Sequence, residues 1–330
     1  MSIEKQLKTW QPNGSIKPLF NLCHSWEFIE NCSYTLNIHL GFHCPLWINE
    51  LKEHFFKTYQ STLEVHCKSH IRAHQTQKKI KPLKNIKNII AVSSTKGGVG
   101  KSTIAAFLAQ SLAKDASVGL LDADIYGANI PHIFKAHDRP EVNEHKQCIP
   151  IEKNNVHLMS IGYLTENQDT PMIWRGPMVV QAYQHLLTQT AWPSLDYLII
   201  DMPPGTGDIQ LTMAQKTPIS GSLIVTTGHQ LSVEDCIKGI NMFQKMDIPV
   251  LGLVENMSSF ICPNCSTSHS LFKDNHTHRI DSDILRIANL PWCEDFSKTD
   301  GQWLGYRVAA ELSLRPKDSL HKMPNVIIQK

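Results

Sequence analysis

The spacing of apolar positions changes twice along this chain. Tyr34, Leu36, Ile38 and Leu40 alternate with other residues, the two-residue period of a half-buried strand. Behind Pro45, Trp47, Leu51, Phe55 and Tyr59 recur every fourth residue, as on a helix with proline in its first turn. Leu63, Val65 and Cys67 then alternate again. Residues 30–71 are therefore expected to form a small β-α-β module. Residues 1–29 are polar and punctuated by Pro12, Gly14 and Pro18, and read as a loose lead-in. Residues 72–87, RAHQTQKKIKPLKNIK, carry no apolar period and read as a basic, solvated linker.

From residue 88 the pattern becomes short, nearly continuous apolar runs: 88–94, 117–124, 156–162, 196–201, 221–227 and 249–256. Helical stretches such as 102–114 and 233–246 separate them. Strands without alternation are covered on both faces, and strands alternating with helices form parallel sheets. Residues 88–330 are thus expected to be one α/β domain with a mainly parallel, doubly wound sheet. Ligands in such folds bind at the carboxyl ends of the strands.

Composition narrows the function classes. An apolar fraction of 42% over 330 residues supports a real core and excludes a disordered chain. A net charge of +2 creates no global field for nucleic acid or anionic membrane. No apolar run approaches the roughly 18 residues of a membrane span. The opening MSIEKQLKTWQPNG has no apolar stretch of the secretory kind. The nine cysteines are odd in number and irregular in spacing, which suits reduced thiols in a cytoplasmic protein better than a disulfide framework. The 17 histidines are scattered, and none is singled out for catalysis.

Chemistry concentrates after the first strand of the large domain. Thr95, Lys96, Gly97, Gly98, Val99, Gly100, Lys101, Ser102 and Thr103 join that strand to the first helix. Three glycines let successive N–H groups turn toward a polyphosphate, and the helix N-terminus adds partial positive charge. Lys101 suits the β- and γ-phosphates of ATP, and Ser102 suits Mg²⁺. Thr95 stands where the strict G-x-x-x-x-G-K-[ST] pattern has glycine. Asp122 and Asp124 close the second strand, and Asp201 closes DYLIID ahead of MPPGTGD. Asp201 is assigned as the carboxylate that holds Mg²⁺ directly or through water. An N-cap role is the alternative for Asp124.

Cys262 and Cys265 are the one cysteine pair whose spacing suggests chemistry. A redox disulfide wants the pair at a helix start. Structural zinc wants two further ligands, for which His269 with His276 or His278 is available. An iron–sulfur cluster wants four thiolates, two more than this pair supplies.

KGGVGKS resembles the deviant phosphate loop of the nitrogenase iron protein, ParA and MinD group. That resemblance implies a nucleotide-dependent homodimer in which Lys96 reaches the phosphates bound by the partner chain. NIIAVSSTKGGVGKST, LLDADIYGANIP, WRGPM (174–178), DYLIIDMPPGTGDIQLT and VLGLVENMSSFICPNC together resemble the Mrp/ApbC-type iron–sulfur cluster carriers, in the family's order over residues 88–265. The resemblance implies a P-loop ATPase of weak turnover, with Asp122 supporting the Mg²⁺ water and Asp124 positioning the attacking water. Asn256 becomes an adenine contact, with a strand-end turn as its alternative. Two thiolates from each of two chains would hold a labile [4Fe–4S] cluster, received from assembly scaffolds and passed to apoproteins.

Two rivals stand beside this. A MinD/ParA-like positioning ATPase would want a terminal membrane helix or basic DNA face, and SLHKMPNVIIQK is broken by Pro324. A zinc-stabilised P-loop scaffold would transfer no cluster. The chain also departs from the family. Residues 266–300 contain no glycine, where relatives carry a glycine-rich run and then a strand ending in Ile-Pro. Leu290-Pro291 is what this chain has at that strand end.

Overall fold

The computed structural model describes residues 2–30, 33–77, 80–125, 127–163, 176–293, 296 and 299–317. The amino-terminal part runs α1 (Ile3–Thr9), β1 (Cys23–Glu30), β2 (Tyr34–Leu40), α2 (Pro45–Tyr59) and β3 (Leu63–Ser69). The large domain follows with β4 (Ile86–Ser93), α3 (Lys101–Leu112), β5 (Val118–Asp122), α4 (Ile130–Phe134), β6 (Ile151–Lys153), β7 (Val156–Ser160), α5 (Gly176–Gln189) and β8 (Leu195–Asp201). It continues with α6 (Asp208–Lys216), β9 (Gly221–Thr226), α7 (Gln230–Lys245), β10 (Val250–Glu255), β11 (Ser259–Ile261), β12 (Ser268–Ser270), β13 (Arg286–Asn289) and α8 (Leu304–Ser313).

Eight strands form the central sheet in the order β13-β10-β9-β4-β8-β5-β7-β6. All neighbours are parallel except β6, which closes the edge antiparallel to β7. The sheet is the expected doubly wound one, and its alternation explains why both faces are apolar. Ile90 and Val92 of β4 join one core cluster with Ile104 and Leu108 of α3 and Val308 of α8. Ile89 and Ala91 join the other, with Tyr183 of α5, Met213 of α6 and Phe243 of α7. β10 breaks this rhythm at Gly252, where φ is 157° and the register to β9 shifts. An added Cβ there would meet the Leu285 carbonyl oxygen at 2.5 Å, so only glycine fits between β10 and the chain entering β13.

The β-α-β module is present, with β2 and β3 parallel and α2 between them. The loose lead-in is corrected. α1 is capped by Ser2, and β1 pairs antiparallel with β2, so the module has three strands and begins at Cys23. β1 carries no strand period because it is a half-exposed edge strand, with only part of each apolar side chain buried. The module shares the α3–α8 core cluster. Trp47 is fully buried, 5.3 Å ring to ring from Tyr306, and Lys17 pairs with Glu311 at 2.7 Å.

The solvated linker is corrected too. His74 and Gln77 are buried: the His74 backbone N–H and Nδ1 both donate to Asn88 Oδ1, at 3.0 and 2.9 Å. Gln77 donates to the Ala214 carbonyl at 3.1 Å and accepts from Ile219 N–H at 3.0 Å. Polar side chains that close backbone ends leave no trace in a hydrophobic pattern. Trp174 and Arg175 of the WRGPM match, and the Pro324 segment, lie outside the described residues.

Candidate functional site

The phosphate loop lies where β4 passes into α3, at the carboxyl end of the sheet, as expected. Gly98 and Gly100 take φ of 80° and 85°, the left-handed region that only glycine enters freely. An added Cβ at Gly98 would meet nothing within 4 Å, so backbone rather than side chain lines the hollow. α3 starts from Gly100 with no side chain capping it. Its first-turn N–H groups are therefore free to face an anion. Thr95 packs its methyl against α7, where a Cβ on Gly239 would lie 2.5 Å away. The missing loop glycine is thus matched by a glycine on the facing helix.

Lys101 is 6% exposed and sits among carboxylates. Its Nζ donates to Asp201 Oδ1 at 2.6 Å and lies 3.5 Å from Asp124 Oδ2 and from Ser102 Oγ. Asp201 Oδ2 is buried with no hydrogen-bond partner among the described residues. Burial raises the Asp201 carboxyl, against the pull of Lys101. One ammonium therefore faces two carboxylates, with one oxygen unsatisfied. A divalent cation bound with nucleotide phosphates would complete that balance, and Ser102 and Asp201 are the residues placed to hold it. Met202 N–H and Gly205 N–H donate to Val92 and Ser94 carbonyls, so the segment after Asp201 is latched to the strand that carries the loop.

Asp122 is placed differently from Asp124. Its Oδ1 accepts from Asp124 N–H at 3.2 Å, and its Oδ2 accepts from Ile130 N–H and Ser160 Oγ–H at 3.2 and 3.0 Å. It braces the loop that presents Asp124 and is itself fully buried. Burial, and then the Asp201 charge, raise its carboxyl. Asp124 caps no helix, since α4 begins at Ile130 behind Asn129.

A cavity of about 380 Å³ opens over the loop. Gly97, Gly98, Gly100, Lys101, Ser102, Thr103 and Asp124 line it, as do Ser94, Asn129, His132, Ile133, Pro204 and Met257. Pro204 belongs to the run 203–207 that follows Asp201 and is expected to respond to the γ-phosphate as a switch segment; no sequence motif assigns a role to the others of this second group. Asn129 and His132 lie in or just beyond DADIYGANIP, a match that carried more wall than the two aspartates. Gln210, also unassigned, is buried on α6 and donates to Ser93 Oγ at 2.6 Å. Lys96 is exposed at the rim, held by its carbonyl, which accepts from Ser94 Oγ–H at 2.9 Å.

Asn256 is buried, and its Nδ2 donates to the Val99 carbonyl at 2.9 Å while its Oδ1 has no partner among the described residues. It ties the end of β10 to the phosphate loop and keeps one acceptor uncommitted. Met257 reaches the cavity, and three residues beyond Asn256 the chain enters the β11–β12 hairpin.

Cys262 and Cys265 sit in the turn of that hairpin, which Cys262 N–H and Ser266 N–H close onto Thr267 and Cys262 carbonyls at 3.0 and 2.8 Å. The pair is not at a helix start, which removes the setting a redox disulfide wants. Cys262 is half-buried and Cys265 exposed. Hydrogen bonds to Thr267, whose Oγ1 is 3.3 Å from Cys265 Sγ, and to Cys262 lower the Cys265 thiol. Two adjacent, accessible thiols with one biased toward thiolate suit a soft metal centre. Among the described residues no three His, Cys, Asp or Glu side chains converge on a metal position. His269, His276 and His278 therefore do not complete a zinc set with the cysteines. By contrast, burial pushes Cys236 up to about 12, as a space-filling thiol.

Residues 275–289 of the glycine-free stretch after Cys265 are anchored to the sheet. Buried Glu255, next to Asn256, accepts from Asn275 Nδ2 at 2.6 Å and Thr277 Oγ1–H at 3.1 Å, with Arg286 3.5 Å away. β13, ending before Leu290-Pro291, adds to the sheet beside β10.

A family model described as ParA, NUBPL iron-transfer P-loop NTPase, matches residues 85–303. An iron-sulfur cluster carrier protein of Pseudomonas fragi is 50% identical over 234 residues, 69% of this chain and 80% of its own length. The iron-sulfur cluster transfer protein NUBPL of Dictyostelium discoideum is 51% identical over 193 residues, 58% of this chain and 59% of its own. A nucleotide-binding protein of Archaeoglobus fulgidus, solved with ADP, superposes with a TM-score of 0.56 at 34% identity, over 71% of this chain and 94% of that one. No described helix is long and apolar enough to cross a membrane.

Proposed function

This chain belongs to the NUBPL iron-transfer P-loop NTPase family, and on that premise we propose that it is an ATP-dependent carrier of iron–sulfur clusters. The observation that carries the reading is the short link from nucleotide cavity to cysteine hairpin. Asn256 holds the phosphate loop, Met257 lines the cavity, and Cys262 and Cys265 follow within one hairpin. A change at the phosphates therefore has a covalent route to the thiols.

ATP enters as substrate along the loop N–H groups. Phosphate oxygens compete with Asp201 and Asp124 for Lys101, and Ser102 and Asp201 would hold a Mg²⁺ whose charge would balance the freed carboxylates. Asp124 is placed to orient an attacking water, with Asp122 holding it from behind. Lys96, exposed at the rim, is free to serve a second copy of the chain, where an added cation stabilises the transferring phosphoryl group. That second copy also completes the metal ligands: two chains give four thiolates, the set a [4Fe–4S] cargo takes. Cluster-assembly scaffolds would load this homodimer and apoproteins receive from it. The reading places this work in the cytoplasm.

Anaerobic reconstitution with iron and sulfide, read by visible absorbance and a metal count, tests this directly. A brown protein whose visible absorbance is that of a thiolate-ligated iron–sulfur centre supports it. A colourless protein holding zinc replaces it with the scaffold reading.

A further inference from the structure

Trp292 is 60% exposed, unusual for the largest apolar side chain, and it stands against the cysteine hairpin. Its backbone N–H donates to the Ser259 carbonyl at 2.7 Å, so residues 290–292 add a third extended segment beside β11. Its bridge partner is Phe260, and their rings lie 5.9 Å apart. Residues paired across a bridge share a face, and so do residues two apart along an extended chain. Trp292, Phe260 and Cys262 therefore fall on one side of the hairpin. Leu271, 43% exposed, adds apolar surface at the open end of the hairpin, where its backbone N–H donates to the Ser258 carbonyl at 3.3 Å, while Ile261, 49% exposed, falls on the opposite face. Exposed apolar groups gathered in one place mark a surface that is used, unlike the same groups scattered singly.

We propose that Trp292 and Phe260 form an apolar wall beside Cys262 that keeps water and oxygen off an iron–sulfur cargo held by the cysteine pair. The inference rests on the carrier reading and adds a residue to it. The lability of a thiolate-bound cluster depends on solvent access and the hydrophobic shell around the sulfurs. The cysteine turn supplies little shell itself, since Pro263, Asn264 and Cys265 are all exposed or half-exposed. An indole lying against the hairpin supplies it without closing the route by which a cluster leaves. Because the ring packs mainly on Phe260 and is largely in solvent, removing it should leave the fold intact.

The test uses the full chain and the variants Trp292→Ala and Trp292→Phe, reconstituted anaerobically with iron and sulfide and then exposed to air. The wall predicts that Trp292→Ala loses its visible absorbance about ten-fold faster than wild type, the scale of outer-shell effects on metal sites. Trp292→Phe should stay near the wild-type rate. A second readout is independent of decay. Cluster loading should quench wild-type tryptophan emission by a component that Trp292→Phe lacks, although six other tryptophans remain. Identical decay in wild type and Trp292→Ala, or loading that leaves the Trp292 emission unchanged, overturns the wall while the carrier reading stands. A wild-type chain that takes up no iron overturns both.

Discussion

The phosphate loop and the cysteine hairpin occupy the same end of the sheet, yet they are built in opposite ways. Lys101, Asp122, Asp124 and Asp201 are all buried, and contacts link the four in a chain: Asp201 and Asp124 meet Lys101, and Asp124 N–H donates to Asp122. The cysteines stand in a turn, with Cys265 exposed and no converging third ligand among the described residues. The first site is pre-organised by one chain. On the proposed reading the second is half of a site. The difference then says where that reading calls for a second copy: for the metal cargo and for Lys96, but not for the grip on ATP.

The largest effect should come from breaking the buried site. Lys101→Ala removes the cation proposed to meet the β- and γ-phosphates, and ATP hydrolysis should fall by a factor of about a hundred or more. It also leaves Asp201 buried and unpaired, which should cost about 3 kcal/mol in denaturant unfolding. Wild-type turnover in this variant would remove the phosphate-loop assignment. Breaking the exposed site should separate cleanly from this. Cys262→Ala should lose nearly all reconstituted iron while binding ATP normally, since two of four thiolates vanish together in a symmetric pair. Cys148→Ala and Cys236→Ala should keep their iron. An unaltered iron content in Cys262→Ala would sink the shared-site account.

Lys96 sharpens the comparison, because it lies in the buried site's loop but is itself exposed. Lys96→Ala should lower hydrolysis by tens of fold, as loss of an added cation does. Its equilibrium binding of ATP should change far less. Equal, small changes in both would make it an ordinary surface lysine. The smallest effect is chemical. Cys265 has its thiol lowered by Thr267 and Cys262, whereas burial raises Cys67, which is also exposed at its surface. A lowered thiol holds more thiolate at neutral pH, so iodoacetamide should label Cys265 first, and the gap should narrow as pH rises above both groups. Mass spectrometry of early time points would show it, and Cys67 reacting first would contradict the environment described for the hairpin.

The sheet was legible because its central strands are covered twice. NIIAVSS and DYLIID announce β4 and β8 within two residues of their ends. The phosphate loop was legible because glycine, lysine and serine have few other reasons to follow a strand in that order. β1 was not, since a half-exposed edge strand lacks alternation. Residues 72–77 were not, because His74 and Gln77 are fixed by hydrogen bonds rather than apolar burial. The seat of the stretch after Cys265 was hidden for the same reason. Glu255, Asn275, Thr277 and Arg286 meet across some thirty residues, and no local pattern reports such a network. Trp292 was legible only as a residue; its place beside Phe260 needed the fold.

Native mass spectrometry of the anaerobically reconstituted protein tests the half-site claim most directly. The account predicts a dimer that carries four irons and four sulfides, about two irons for each chain by the four-thiolate rule, and that falls to iron-free species when Cys262 is replaced. Four irons retained on a single chain would contradict it.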